Sequence, residues 1–152
     1  MNIDTYVYVK KSSSTVIGND FQFNLIPNND RPFNSIQIVS AVIETTTQTG
    51  MLAIRSNLEP LNGYSIDRFS TVLSIFDYNT QLTAGHHCYL LSGYEQPKYQ
   101  VSNNLSNFRI AIMDESGVQL TAAQVLHFSI IFKLSYFTEG AAAIDYRKQV
   151  PL

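Results

Sequence analysis

The chain has 152 residues, 45% of them apolar and 14% charged, with a formal net charge of −2 and an isoelectric point near 5.8. That length closes one hydrophobic core and is short for two ordinary domains. The charge balance gives no global positive field, and no run of Lys or Arg supplies a local one, so no direct nucleic-acid binding is expected.

The first residues, MNIDTYVYVKKSSS, hold no apolar segment of signal-peptide length, and no apolar run of about 18 residues occurs anywhere. A soluble chain with no membrane span and no cleaved secretion signal is therefore expected. The single cysteine cannot form an intramolecular disulfide, in keeping with a reducing compartment.

Short runs rich in β-branched and aromatic residues, separated by Ser, Thr and Asn, point to an all-β domain. TYVYV (5–9) alternates and reads as either an edge strand or an extended arm. DFQFNLI (20–26) puts Phe21, Phe23 and Leu25 on one face and Gln22 and Asn24 on the other, the pattern of a half-buried strand. Pro27, Asn28, Asn29 and Pro32 then make a turn region. SIQIVSAVIETT (35–46) switches parity near Val39 to Ala41, which indicates a bend or bulge in one long strand.

MLAIRS (51–56) is a short strand with Leu52 and Ile54 on one face, and NLEPLNGYSIDR is a long exposed loop broken by Pro60 and Gly63. FSTVLSIF (69–76) precedes a DYNTQLTAG loop, then HHCYLL (86–91) and KYQV (98–101). NFRIAIM (107–113) groups Phe108, Ile110 and Ile112. DESG (114–117) is the strongest tight-turn signal, because Gly117 accepts positive φ. TAAQ (121–124) reads as one helical turn at most, and VLHFSIIFKLSYF (125–137) is the longest β-prone run, expected to sit centrally.

Without the first segment these make eight strands: 20–26, 35–46, 51–56, 69–76, 86–91, 98–101, 107–113 and 125–137. Eight antiparallel strands with one long connection near the middle fit a jelly-roll sandwich of two packed Greek keys; a lipocalin-like barrel is the rival architecture. The expected layout is an N-terminal arm or edge strand (1–19), the jelly-roll domain (20–137) and a C-terminal tail (138–152), so that extended arms flank the sandwich at both ends. The tail, TEGAAAIDYRKQVPL, has too little apolar content to join a core.

His86, His87 and Cys88 stand side by side as three potential metal ligands. In an extended strand neighbouring side chains diverge, so at most two share a face, and His127 is far along the chain. Zinc needs three or four such ligands, so no metal site is expected, and Cys88 reads as a small core hydrophobe. If Cys88 is in the core, His86 lies at the core's edge and His87 points outward. The same divergence argues against a thiol–imidazole pair. There is no GxSxG, HExxH or phosphate-cradling loop, so no catalytic residues and no cofactor are expected.

Most Phe take the inward parity of their strands. Tyr6, Tyr8, Tyr64, Tyr78, Tyr94, Tyr99 and Tyr146 fall in segments read as loops, edges or tails, where an amphipathic ring suits a protein interface or a sugar platform. Interface is the stronger reading, because sugar platforms commonly use Trp and the chain has none. Arg55 and Arg109 take the outward parity, suited to surface salt bridges or to subunit pairing.

The series DFQFNL, SIQIVSAVIETT, LAIRSNLEP with its loop, FSTVLSIFDY, NFRIAIMDESGVQL and HFSIIFKLSYF resembles the single-jelly-roll minor capsid, or penton, proteins of virophages and polinton-like viruses. The resemblance covers roughly residues 20–137 and is most specific at the closing strand, acidic-Gly turn, VQL and apolar strand opened by His127. It implies a non-enzymatic virion protein, made in the host cytoplasm, five copies of which close a capsid vertex and contact the major capsid protein. Family pentons often carry a domain inserted in the jelly roll, and no insertion of that size fits here.

The interface residues expected on this reading are Tyr6 and Tyr8 in the N-terminal segment, Tyr64 in the long loop, and Tyr146, Arg147 and Lys148 in the tail. The alternative function is a β-sandwich carbohydrate- or receptor-binding module, and a hydrolase with chemistry dispersed over several loops stands third.

Overall fold

A computed structural model of the chain describes residues 2–25, 35–58, 71–91, 95–100 and 107–137. The strands are β1 (Asn2–Lys10), β2 (Thr15–Ile17), β3 (Asp20–Phe23), β4 (Ser35–Thr45), β5 (Met51–Ser56), β6 (Thr71–Thr83), β7 (His86–Leu91), β8 (Lys98–Gln100), β9 (Phe108–Asp114) and β10 (Val125–Phe137), with one 3-10 turn, Lys11–Ser13. They hydrogen-bond in one path, β1-β10-β4-β7-β6-β5-β9-β3-β2, with β8 attached to β4. All pairings are antiparallel.

That path is an antiparallel jelly-roll sandwich. One sheet is β1-β10-β4-β7 and the other is β6-β5-β9-β3 with β2 at its edge, the β6–β7 hairpin joining the two. Strands at opposite ends of the path meet through their side chains. Phe21 on β3 lies 5.1 Å edge-on from Phe128 on β10, Phe23 packs on the same ring at 6.0 Å, and Phe108 on β9 meets Phe132 on β10 at 5.4 Å. Such contacts require the sheet to fold back over its own apolar face. Each fully buried Phe or Ile contributes roughly 1.5–3 kcal/mol.

The alternation behind this core is direct. Phe21, Phe23 and Leu25 are buried while Gln22 and Asn24 are not. In β4 the buried set changes from Ile36 and Ile38 to Ile43 and Thr45, and the ladder with β10 shifts register between Ile131 and Phe132, leaving Val39 unpaired between Ile38 and Ser40. The parity switch in the sequence is thus a β-bulge that turns both Val39 and Ser40 outward.

Several expectations are corrected. Of the two readings of the first segment, the structure shows the edge strand and not the extended arm: Asn2–Lys10 pairs along its whole length with β10 and is the first strand of the roll. It completes the eight in place of 98–101, which forms only the short β8 on β4. Residues 77–83, read as loop, continue β6, and the turn to β7 consists of Ala84 and Gly85, the latter at φ +77°. Their polar composition reflects a hairpin running beyond the core, where residues 79–83 are exposed on both faces. β10 is an interior strand but not the middle one, with only β1 beyond it. The long loop near 57–68 lies almost wholly outside the described residues, as does the tail 138–152.

Turns are fixed by side chains. Asp114 Oδ1 accepts from the amides of Ser116 (2.8 Å) and Val118 (2.9 Å), and Gly117 closes the DESG turn at φ +81°. Lys11 Nζ donates to the carbonyls of Ala122 and Val125, tying the end of β1 to the turn before β10. Tyr89, fully buried on β7, donates its hydroxyl to Thr47 O (2.8 Å) and accepts from Thr49 N (2.7 Å), pinning the crossing from β4 to β5. Tyr89→Phe keeps the ring and takes the acceptor from Thr49 N, while Thr47 O keeps the hydroxyl of Thr45 at 2.7 Å, so a loss of about 1 kcal/mol in urea unfolding is expected with the fold retained.

Candidate functional site

The outer face of β1-β10-β4-β7 follows from register. Tyr8 stands opposite Ile131 and Ile131 opposite Ser40, next to the bulged Val39; Lys10 is opposite Ser129, Ser129 opposite Val42 and Val42 opposite Leu90; Tyr6 is opposite Lys133, which is opposite Gln37. Val7 and Val9, on the other parity, face the core.

Tyr6 and Tyr8 are 61% and 54% exposed, and Val39 and Leu90 are each 41% exposed. The result is an aromatic and aliphatic centre with Asp4, Lys10 and Lys133 around it. Tyr8 is held in place: its hydroxyl donates to Ser129 Oγ at 3.2 Å and the Lys10 ammonium sits 5.8 Å from its ring centroid. β1 is also a sheet edge of nine residues, and among the described residues no strand pairs with its outer side. The opposite edge, β2, has only three residues. Long open edges are sites where another chain adds on, and short ones are protected.

At the start of β1, Asp4 accepts a hydrogen bond from Ser135 Oγ at 2.7 Å and lies 3.6 Å from Lys133 Nζ. The Ser135 hydroxyl, with help from the Lys133 charge, holds its carboxyl below the ordinary value of 3.8.

The His86–His87–Cys88 group resolves differently from the expectation. Tyr89 at 0% exposure marks the core parity, so His87 faces inward and is 8% exposed, its Nδ1 sharing a 3.2 Å hydrogen bond with the hydroxyl of Tyr78. Cys88 takes the outward parity and is nevertheless 8% exposed, because β7 is flanked on both sides, with Glu44 opposite on β4 and Thr80 opposite on β6. Burial, and secondarily the Glu44 charge, push its thiol pKa up, which suppresses the thiolate a nucleophile needs. His86 Nδ1–H donates to Glu44 Oε1 at 2.5 Å.

His127 stands opposite Glu44 in register, yet among the described residues no group of three or more His, Cys, Asp or Glu is placed to hold a metal ion. Also among the described residues, no helix is long and apolar enough to cross a membrane.

Of the expected interface residues, the structure places Tyr6 and Tyr8 together on one exposed face. Tyr64, Tyr146, Arg147 and Lys148 lie outside the described residues. Tyr78 and Tyr99 are not surface rings: both pack partly buried against the core, and Tyr99 donates to Val72 O at 2.7 Å. Val39, Ile131 and Leu90 were missed as parts of the face. Val39 had a signal in the parity switch of β4; the other two depend on non-local register.

Because the Asp4 carboxyl is held low, its stabilising effect on β1 is fully present above pH 3.8 and is lost as pH falls through its folded value. Amide protection factors along β1 are expected to drop across that window, and Asp4→Asn, measured by hydrogen exchange, is expected to start lower and show no such drop. In comparisons with known proteins, no protein-family model and no curated protein matches the chain.

Proposed function

We propose that this chain is a structural virion protein, the vertex or penton minor capsid protein of an icosahedral shell, acting as a homopentamer. A jelly roll hosts unrelated functions, so the reading rests on one observation: a long open edge strand that carries two exposed tyrosines, one of them pre-set by Ser129 and Lys10, on a face with an apolar centre and a charged rim. Interface centres are enriched in Tyr and rims are polar, and a side chain already fixed in place loses less freedom on binding.

A closed ring of head-to-tail contacts needs two different complementary flanks. The two sheets give each subunit two outer faces of different chemistry, the tyrosine-bearing face and the arginine-bearing face of β3-β9-β5. The rigid core holds these faces at a fixed angle, which is the geometric requirement for closure. The major capsid protein is the second partner on this reading, and no catalysis is involved.

Sedimentation of the full chain, whose subunit mass is 17.1 kDa, is expected to give a discrete five-subunit species. Tyr6→Ser combined with Tyr8→Ser is expected to leave the melting temperature nearly unchanged and to weaken assembly by at least about a hundredfold, at roughly 2 kcal/mol for each central tyrosine. A chain that stays monomeric at high concentration, or a ring indifferent to both substitutions, contradicts the proposal.

A further inference from the structure

β1 has the features of an edge that accepts another strand. Its nine residues pair with β10 in unbroken register, Asn2 against Phe137 through Lys10 against Ser129, with none of the bulges that interrupt the ladders of β4 with β10, β5 with β6 and β6 with β7. Edge strands are commonly blunted by bulges, prolines, charge or short length. The central stretch of β1, TYVYV (5–9), carries no proline and no charge, and among the described residues nothing pairs with its outer side.

Chain direction selects the occupant. β10 runs antiparallel to β1 and reaches Phe137 opposite Asn2, so the chain passes into residues 138–152 beside the start of β1. Turned back along the open side of β1 in the same subunit, that segment would run parallel to β1, which is the less stable pairing. An antiparallel strand on this edge comes from a second copy. TEGAAAIDYRKQVPL alternates, with Ile144, Tyr146 and Val150 on one parity, where Lys148 is the one charge, and Asp145, Arg147 and Gln149 on the other. Content too low in apolar residues for a core suffices for an edge, where main-chain hydrogen bonds carry the affinity and alternate side chains the specificity.

We infer that residues 138–152 of one copy add antiparallel to the open edge of β1 in the next, an inference that rests on the assembly reading above. Side chains favour one register. With Asp145 opposite Lys10, Arg147 stands opposite Tyr8 and Gln149 opposite Tyr6, while Tyr146 and Val150 fall opposite Val9 and Thr5. An acid then meets a base and a guanidinium meets an aromatic ring on the exposed face, and the apolar parity of the tail continues the core-facing parity of Val7 and Val9. Each copy gives its tail to one neighbour and receives the tail of the other, as a head-to-tail ring requires.

Hydrogen exchange on the full chain tests the inference, at concentrations where it is monomeric and where it is assembled. Alternate amides of β1, those that do not face β10, are expected to gain at least about tenfold in protection on assembly and to show none of that gain in the monomer. Lys10→Asp and Asp145→Lys are each expected to weaken assembly by about two- to fivefold, and the two together to restore it. Tyr146→Pro combined with Arg147→Pro removes a ladder donor at either parity and is expected to abolish the gain with the melting temperature preserved. A ring whose β1 amides gain nothing, or that is indifferent to the paired prolines, overturns the inference and leaves the assembly reading standing. Protection already complete in the monomer assigns the edge to the subunit's own chain and also overturns it, and a chain that stays monomeric at every concentration overturns both.

Discussion

The structure depends on the closure of one strand path over its own apolar face. Hydrogen bonds take the chain from β1 to β2 without a break, but a ladder by itself leaves the sheet open, with two edges and an apolar side in water. The rings of Phe21, Phe23 and Phe108 on one sheet meeting those of Phe128 and Phe132 on the other supply the closure. Phe128 is in contact with both Phe21 and Phe23, so it joins the two ends of the path at one point. Everything that faces outward inherits its position from this packing.

Closure also separates two chemistries. β1 is held from inside by Val7 and Val9 and from its partner strand by register with β10, which frees Tyr6 and Tyr8 for the outside. On the other sheet, β3, β9 and β5 present Asp20, Arg109 and Arg55 around the small Ala111. An aromatic face and a cleft lined by charged and amide side chains thus lie on opposite sides of the sandwich. Each is built by strands that sequence distance would never place together.

The legibility of the sequence follows the same division. Where one face of a strand meets the core and the other meets water, alternation is readable: Phe21, Phe23 and Leu25, or the parity switch at Val39, identify strand, face and bulge. Where both faces meet water, as in residues 79–83, strand and loop have the same composition and the hairpin goes unrecognised. Where both faces are covered, as at His87 and Cys88, parity says that the two side chains diverge but not which enters the core. Tyr6 and Tyr8 were legible as aromatic residues outside the core pattern, whereas the cleft was invisible because its residues come from three strands paired non-locally.

The central claim is that the ring contacts across the two sheets, rather than the ladder, close the roll. A double-mutant cycle of Phe21→Leu and Phe128→Leu, read by denaturant unfolding, tests it most directly. The account predicts a coupling energy of about 0.5–1.5 kcal/mol between the two rings. Effects that add to within about 0.3 kcal/mol would contradict it, because rings that do not feel one another cannot be what joins the two ends of the path.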